Sequence, residues 1–240
     1  MNAKFIISYD GTSYQGSQTQ PNGQSVEDKL QEVFKSLNIN TKIILSGRTD
    51  KEVHATGQVF NCRLPSFWSN LSKLKDVMNQ HLPLSIKIKK IVEVSDSFHS
   101  RFHAKKRVYR YFVSKKEVSV FNSKYIAYYE NFDEQLIQDA IKVFIGSYNF
   151  EYFHKKGSDK DNTVREIFDA RFYKYKDVYI FKFTANSYLR SQIRLMVGSL
   201  LKVGNGSLSI EDLKAQLNMD KHIFKIPASP YGLYLVKVFY

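Results

Sequence analysis

The sequence predicts an α+β protein of two ferredoxin-like, RRM-like halves of the β-α-β-β-α-β type. Their strands are expected to make one continuous, mainly antiparallel central sheet with helices packed on it. Three observations lead to this. Apolar residues alternate with period two in one set of segments and recur at three- and four-residue spacing in another. The two kinds of segment follow the β-α-β-β-α-β order up to residue 94, and a looser version follows residue 106. No Pro- or Gly-rich linker marks the boundary near 102–106, so halves 1–103 and 104–240 are expected to share the sheet.

In the first half, residues 4–9 read as a strand ending in Asp10-Gly11, a strong turn signal. Ser25, with Asp28 three residues on, is placed to cap a helix bearing Val26, Leu30, Val33, Phe34 and Leu37 at helical spacing. Strands are expected near 42–46 and 57–63. A second helix begins near Ser69, with Leu71, Leu74, Val77, Met78 and Leu82 on one face, and Pro83 follows it. Residues 86–94 then alternate as a strand. In the second half, 107–114 and 124–129 alternate, and a helix from Asp133 carries Leu136, Ile137, Ala140, Ile141 and Phe144. Strands at 164–175 and 178–186 flank Lys176-Asp177 as a hairpin. A long helix from Leu189 presents Ile193, Met196, Val197 and Leu200, followed by a short helix near 209–217 and a last strand over 232–239.

With 43% hydrophobic residues, 18 Phe and 16 Tyr, the 240-residue chain has ample material for a packed core. A single cysteine, Cys62, excludes an internal disulfide and a cysteine-based zinc site, so a reducing compartment is expected. The start of the chain lacks the pattern of a secretory leader, and no apolar run reaches membrane-spanning length. A cytoplasmic protein without membrane contact is the expectation. The net charge of +13 is spread unevenly, with 13 basic against 9 acidic residues in 1–103 and 23 against 14 in 104–240. Such an excess favours a polyanionic partner, and the aromatic content suits base stacking as well as a core.

The stretch Gly47-Arg48-Thr49-Asp50-Lys51-Glu52-Val53-His54-Ala55-Thr56-Gly57-Gln58-Val59 stands out. It joins two apolar runs, yet holds an acid, bases, a hydroxyl and an amide where a simple turn would suffice. Asp50 there can serve as nucleophile, general base, metal ligand or side-chain cap of a turn. His54, His99 and His103 raise a metal site, but Arg101 between the last two opposes a divalent ion, and no His-Glu-x-x-His or Cys pair supports one. In Arg107-Val108-Tyr109-Arg110-Tyr111 a strand places Arg107, Tyr109 and Tyr111 on one face, suited to stacking and phosphate or equally to a core. Arg190 and Arg194, one helical turn apart, flank an apolar stripe. A guanidinium there calls for a carboxylate, for which Asp50 is the nominee. Gly204-Asn205-Gly206 does not follow a dinucleotide-binding pattern, and no phosphate-binding loop is present, so no nucleotide or flavin cofactor is expected.

Together these segments resemble the TruA family of tRNA pseudouridine synthases. That family carries Gly-Arg-Thr-Asp-x-x-Val-His-Ala-x-Gly-Gln-Val, matched at 47–59, and Tyr-Asp-Gly-x-x-Tyr-x-Gly, matched at 9–16. Its Phe-His-x-Arg-Phe with a following Arg-x-Tyr-x-Tyr is matched at 98–111, Arg-x-Met-Val-Gly at 194–198, and Gly-Leu-Tyr-Leu-x-x-Val at 232–238. The resemblance implies an active-site cleft between the halves, with Asp50 as nucleophile, Tyr109 packing on the target uracil and acting as base at C5, and Arg194 pairing with Asp50. Arg48 would open the RNA and hold the extruded base, and Thr49, His54 and Gln58 would join it in binding RNA. It further implies a homodimer acting on uridines 38, 39 or 40 of the tRNA anticodon stem-loop, with neither cofactor nor metal.

Two departures stand against the family pattern. Ser17 replaces the Trp of Gly-Trp-Gln, and Lys51-Glu52 replaces the usual Ala-Gly, so that Glu52 occupies the place of a permissive glycine. The rival readings are an RNA-binding protein without catalysis, and a metal-dependent hydrolase using Asp50 and the histidines.

Overall fold

The structure, a computed structural model, describes residues 1–21, 23–155, 157 and 162–240. The chain divides into two compact units, Met1–Lys105 with Tyr234–Tyr240, and Lys106–Leu233. The first follows the expected order: β1 Asn2–Tyr9, α1 Val26–Ser36, β2 Ile44–Leu45, β3 His54–Arg63, α2 Leu71–His81 and β4 Ile86–Val94. β1 is central, antiparallel to β3 with Phe5 opposite Phe60, and to β4 with Phe5 opposite Ile91. β2 adds to β3 with Leu45 opposite Phe60.

The helices are held by the means their sequences suggest. The Ser25 hydroxyl accepts the Asp28 N–H at 3.1 Å while the Asp28 carboxylate accepts the Ser25 N–H at 3.0 Å, a complete capping box. Phe34 of α1 then packs its ring against Phe60 and Phe5, the latter two stacked at 4.4 Å, so the helix is fixed to the sheet by the period-3.6 stripe. α2 starts at Asn70, whose side chain accepts the Lys73 N–H, and buries Leu74 and Met78.

The second unit comprises β5 Lys106–Ser114, β6 Ala127–Tyr128, α3 Glu134–Ala140, β7 Gly146–Asn149, β8 Val164–Tyr175, β9 Val178–Ala185, α4 Gln192–Gly204 and α5 Ile210–Leu217. β9 lies between β5 and β8, antiparallel to both, with Tyr109 opposite Phe183. β7 pairs antiparallel with β8, and β6 adds to the end of β5. The closing strand, β10 Leu233–Phe239, pairs in parallel with the start of β3, Tyr234 opposite His54. By its place in the sequence this strand belongs to the second half. Parallel pairing to β3 instead places Tyr234–Tyr240 in the first unit. Strand pairing within each unit is mainly antiparallel and helices accompany it, as the α+β class requires.

Several elements differ from expectation. Residues 124–126 turn, so that the strand expected over 124–129 is only β6, and α3 ends at Ala140 with Ile141–Phe144 in a tighter 3-10 turn. β3 begins at His54, three residues early, because its start is paired to both β1 and β10. α4 begins at Gln192 rather than Leu189: Ser191 takes φ +58°, which ends any helical run, and Gln192 Oε1 accepts the Leu189 N–H at 2.8 Å. Arg190 therefore lies outside the helix and is exposed, so it does not share a helical face with Arg194. β7 had no sequence signal, since Gly-Ser-Tyr-Asn lacks apolar alternation and it pairs along one side only. Among the described residues no helix is long and apolar enough to cross a membrane.

Candidate active site

The polar stretch between β2 and β3 is held from both ends by buried side chains. Gln58 on β3, wholly buried, donates its amide N–H to Gly47 O at 2.9 Å and accepts the Ser46 hydroxyl at 2.7 Å. Arg48 follows and is exposed. Thr49 turns inward: its hydroxyl pairs with the Tyr9 phenol at 2.8 Å, and its N–H donates to Ser17 Oγ at 2.8 Å. The Ser17 N–H returns a bond to Thr49 O at 3.2 Å. Burial pushes the Tyr9 phenol up to about 12, against the opposing hydrogen bonds from Thr49, Gln58 and Ser17.

Asp50 is partly exposed at the next position. Its carbonyl accepts the Val53 N–H at 3.2 Å, closing a turn in which Glu52 has φ +64° and donates its N–H to Tyr14 O at 3.2 Å. Main-chain bonds thus close this turn. Glu52 adopts a left-handed conformation that a glycine would take without steric penalty. Lys51 Nζ lies 3.9 Å from the Glu52 carboxylate, a solvated pair of little energy.

His54 opens β3 and is 1% exposed. The Gly11 N–H donates to its Nδ1 at 3.0 Å, the Asp10 carboxylate lies 3.2 Å from the same nitrogen, and the Tyr234 ring stacks on it at 4.6 Å. The neutral ring accepts from Gly11; a protonated one would donate to Asp10. Gly11 itself packs so tightly on the loop that a Cβ would sit 2.1 Å from Val53 O. Arg48, Thr49, Asp50, His54 and Gln58 are therefore gathered in one place. Arg48 and Asp50 reach solvent, and the other three are buried supports.

Tyr109 and Arg194 belong to the second unit. Tyr109, 6% exposed on β5, meets Tyr188 edge-on at 5.2 Å. Burial holds the Tyr188 phenol well above its ordinary value, and its hydroxyl has no hydrogen-bond partner among the described residues. Arg107, on the same strand face as Tyr109, donates to Asn186 O at 2.6 Å. Arg194, in the first turn of α4, is half-buried and donates Nε–H to Ala228 O at 2.7 Å; the Ala228 N–H returns to Arg194 O at 2.9 Å. The segment around Ala228 thereby sets the direction of the guanidinium. No group of three or more His, Cys, Asp or Glu among the described residues is arranged to hold a metal ion.

The supports Tyr9, Tyr14 and Ser17 escape a reading of the sequence for site residues. The sequence shows Tyr9 and Tyr14 within the motif at 9–16 and Ser17 as a departure beside it, and nothing in their spacing announces partners in the 49–52 turn.

Known proteins match this chain over nearly its whole length. A family model described as tRNA pseudouridine synthase matches residues 5–103 and 140–240. tRNA pseudouridine synthase A of Campylobacter jejuni (strain RM1221) is 41% identical over 240 residues, covering 100% of both chains. The protein of that name from Wolinella succinogenes is 40% identical over 97% of this chain and 92% of its own length. That from Helicobacter hepaticus is 38% identical over 99% and 98%. The matched residues include the Asp50 loop with its supports as well as α4 with Arg194, and the chain belongs to the TruA family of tRNA pseudouridine synthases.

Proposed function

We propose that this tRNA pseudouridine synthase isomerises uridine in the anticodon stem-loop, at one or more of positions 38, 39 and 40, through a covalent intermediate on Asp50. The observation that carries the proposal is the Asp50 loop, whose backbone is tied down at Gly47, Thr49 and Glu52 while Asp50 is partly exposed. A nucleophile needs that combination of fixed position and access.

The reaction breaks the N1–C1′ bond and forms C5–C1′ without change of composition. The ionised carboxylate adds either to C6 of the ring or to C1′ of the ribose, which holds the pieces while the base turns. As C5 is joined to C1′ the product is completed by breaking the bond to Asp50, which leaves as carboxylate, while the C5 proton departs and N1 gains one. Tyr109 is proposed as the aromatic that packs on the uracil and takes the C5 proton, and Arg194 as the cation that favours an ionised Asp50. The target must first leave its stack, and exposed Arg48 on a chain of charge +13 suits the opened RNA. Buried Thr49, His54 and Gln58 are proposed to support RNA binding by positioning the loop from beneath. The enzyme is proposed to act as a homodimer in the cytoplasm, without cofactor or metal.

Purified protein incubated with unmodified tRNA, followed by mapping of pseudouridine, tests this directly. Product in the anticodon arm is expected; its absence, with tRNA still bound, would leave an RNA-binding protein. Asp50→Asn should keep tRNA affinity and make no product. An active variant removes Asp50 from the mechanism.

A further inference from the structure

We infer that Ser17 is a positioning residue for the reaction, its hydroxyl setting where the Asp50 carboxylate stands; this rests on the reading of Asp50 as nucleophile. Ser17 is wholly buried, although a serine at a surface turn has no need to be. Its Oγ accepts the Thr49 N–H at 2.8 Å and its N–H donates to Thr49 O at 3.2 Å, so one residue grips both main-chain groups immediately before Asp50. Its hydroxyl is also within bonding reach of the Tyr9 phenol, which holds the Thr49 side chain.

Ser17 is itself anchored to a rigid element. The first N–H groups of a helix have no partner within it. Here those of Val26 and Glu27 donate to Gly16 O and Ser17 O at 3.2 and 3.0 Å. The Thr49 backbone is thereby tied, through Ser17, to the capped end of α1. Gly16 permits the approach: it has φ +113°, and a Cβ there would lie 2.9 Å from Thr49 O. On the far side of Asp50, Tyr14 O accepts the Glu52 N–H, and the Tyr14 hydroxyl pairs with Ser85 at 2.6 Å. Residues 14–17 thus clasp the loop on both sides of Asp50, and of the clasping bonds named here the one made by a side chain is that of the Ser17 hydroxyl. Where the family pattern has Trp, the indole offers a donor and no acceptor, so it cannot receive the Thr49 N–H in this way. This chain's serine supplies that acceptor.

The test is single-turnover conversion of unmodified tRNA at saturating enzyme, with tRNA affinity and melting temperature measured on the same samples. Ser17→Ala should lower the rate constant about 10- to 100-fold, the scale of a displaced reacting group, with tRNA affinity within about twofold. Ser17→Thr, which keeps the acceptor, should recover most of the rate. Ser17→Cys, close in size but a weak acceptor, should stay slow. If Ser17→Ala does not fold, the comparison of Cys with Thr decides. A normal rate in Ser17→Ala, or equal rates in Cys and Thr variants, overturns the inference. Asp50→Asn run alongside separates the two ideas. If that variant is inactive while Ser17→Ala is normal, only the role of Ser17 fails; if it is active, the nucleophile assignment itself has failed.

Discussion

Removing the Tyr9 hydroxyl tests whether the Asp50 loop is held by buried polar pairing. In Tyr9→Phe the Thr49 hydroxyl, in a residue 7% exposed, loses a partner at 2.8 Å. A buried group left unsatisfied costs about 1–3 kcal/mol, so a loss near 1.5 kcal/mol is expected. Thr49→Val, nearly isosteric, strands the phenol instead. Ser17 and Gln58 lie within its reach, so the expected loss is lower, about 1 kcal/mol. The double variant replaces both partners by apolar groups and should cost clearly less than the sum, a coupling of about 1 kcal/mol. For a chain of this size each 1 kcal/mol moves the melting temperature by roughly 2–4 °C, well within the resolution of thermal unfolding. Strict additivity across the cycle would refute the pairing as a source of stability.

The same residue gives a pH signature. Burial raises the Tyr9 phenol from 10.0 to about 12, so the folded state keeps a proton that the unfolded chain releases. Stability is untouched below pH 10 and falls as pH rises from 10 towards 12. The fall reaches about 2–3 kcal/mol from a shift of this size. Tyr111 and Tyr188 are also raised by burial, so the wild-type alkaline limb is shared. The difference between wild type and Tyr9→Phe isolates Tyr9. Superimposable alkaline limbs for the two proteins would contradict the burial argument.

Three further outcomes follow from the same geometry. Glu52→Gly should raise the melting temperature by a few degrees, since a left-handed non-glycine residue costs roughly 1–2 kcal/mol and the ion pair with Lys51 that the change removes is solvated; an unchanged or lower value counts against strain at that turn. Gly11→Ala should destabilise by about 2–4 kcal/mol and slow product formation, because its Cβ would have to displace the Val53 carbonyl beside the Asp50 turn; a wild-type melting curve would show the packing there to be soft. Cys62, 2% exposed with burial pushing its thiol up to about 12, should resist alkylation in the folded protein and react once urea unfolds it; rapid labelling without denaturant would show that β3 opens locally.

The elements that could be read from sequence are those whose signal is local. Capping at Ser25 and Asp28, the apolar stripe of α1 and the alternation in β1, β4, β5 and β8 each come from residues within one turn or one strand, and each stands where expected. The failures have a tertiary cause. β3 reaches back to His54 because β10, some 180 residues later, pairs with its start. The apolar periodicity around Leu189 suggests helix, but Ser191 adopts a left-handed conformation and the chain turns before α4 begins. Periodicity says which face is apolar and is silent about the residue at which a packed chain changes direction.

Within the site the same division separates chemistry from support. Asp50 stands out in the sequence because an acid among other polar groups between two apolar runs is expensive unless something requires it. Tyr9 and Ser17 carry no such mark. A tyrosine ending a strand and a serine after a glycine are common, and their partner Thr49 lies 40 and 32 positions away. Only when the chain is folded do they become buried polar groups that need that partner. The departure at Ser17, which in sequence looks like the loss of a large aromatic, becomes in the structure the gain of a hydrogen-bond acceptor. The departure at Glu52 is of the other kind: a residue with a side chain stands at φ +64°, so the turn that presents Asp50 carries strain that a glycine there would not. An indole at position 17 would offer the Thr49 amide no acceptor, and a glycine at position 52 would remove the strain, which makes the two positions the natural pair to exchange together when the loop's geometry is tested against rate.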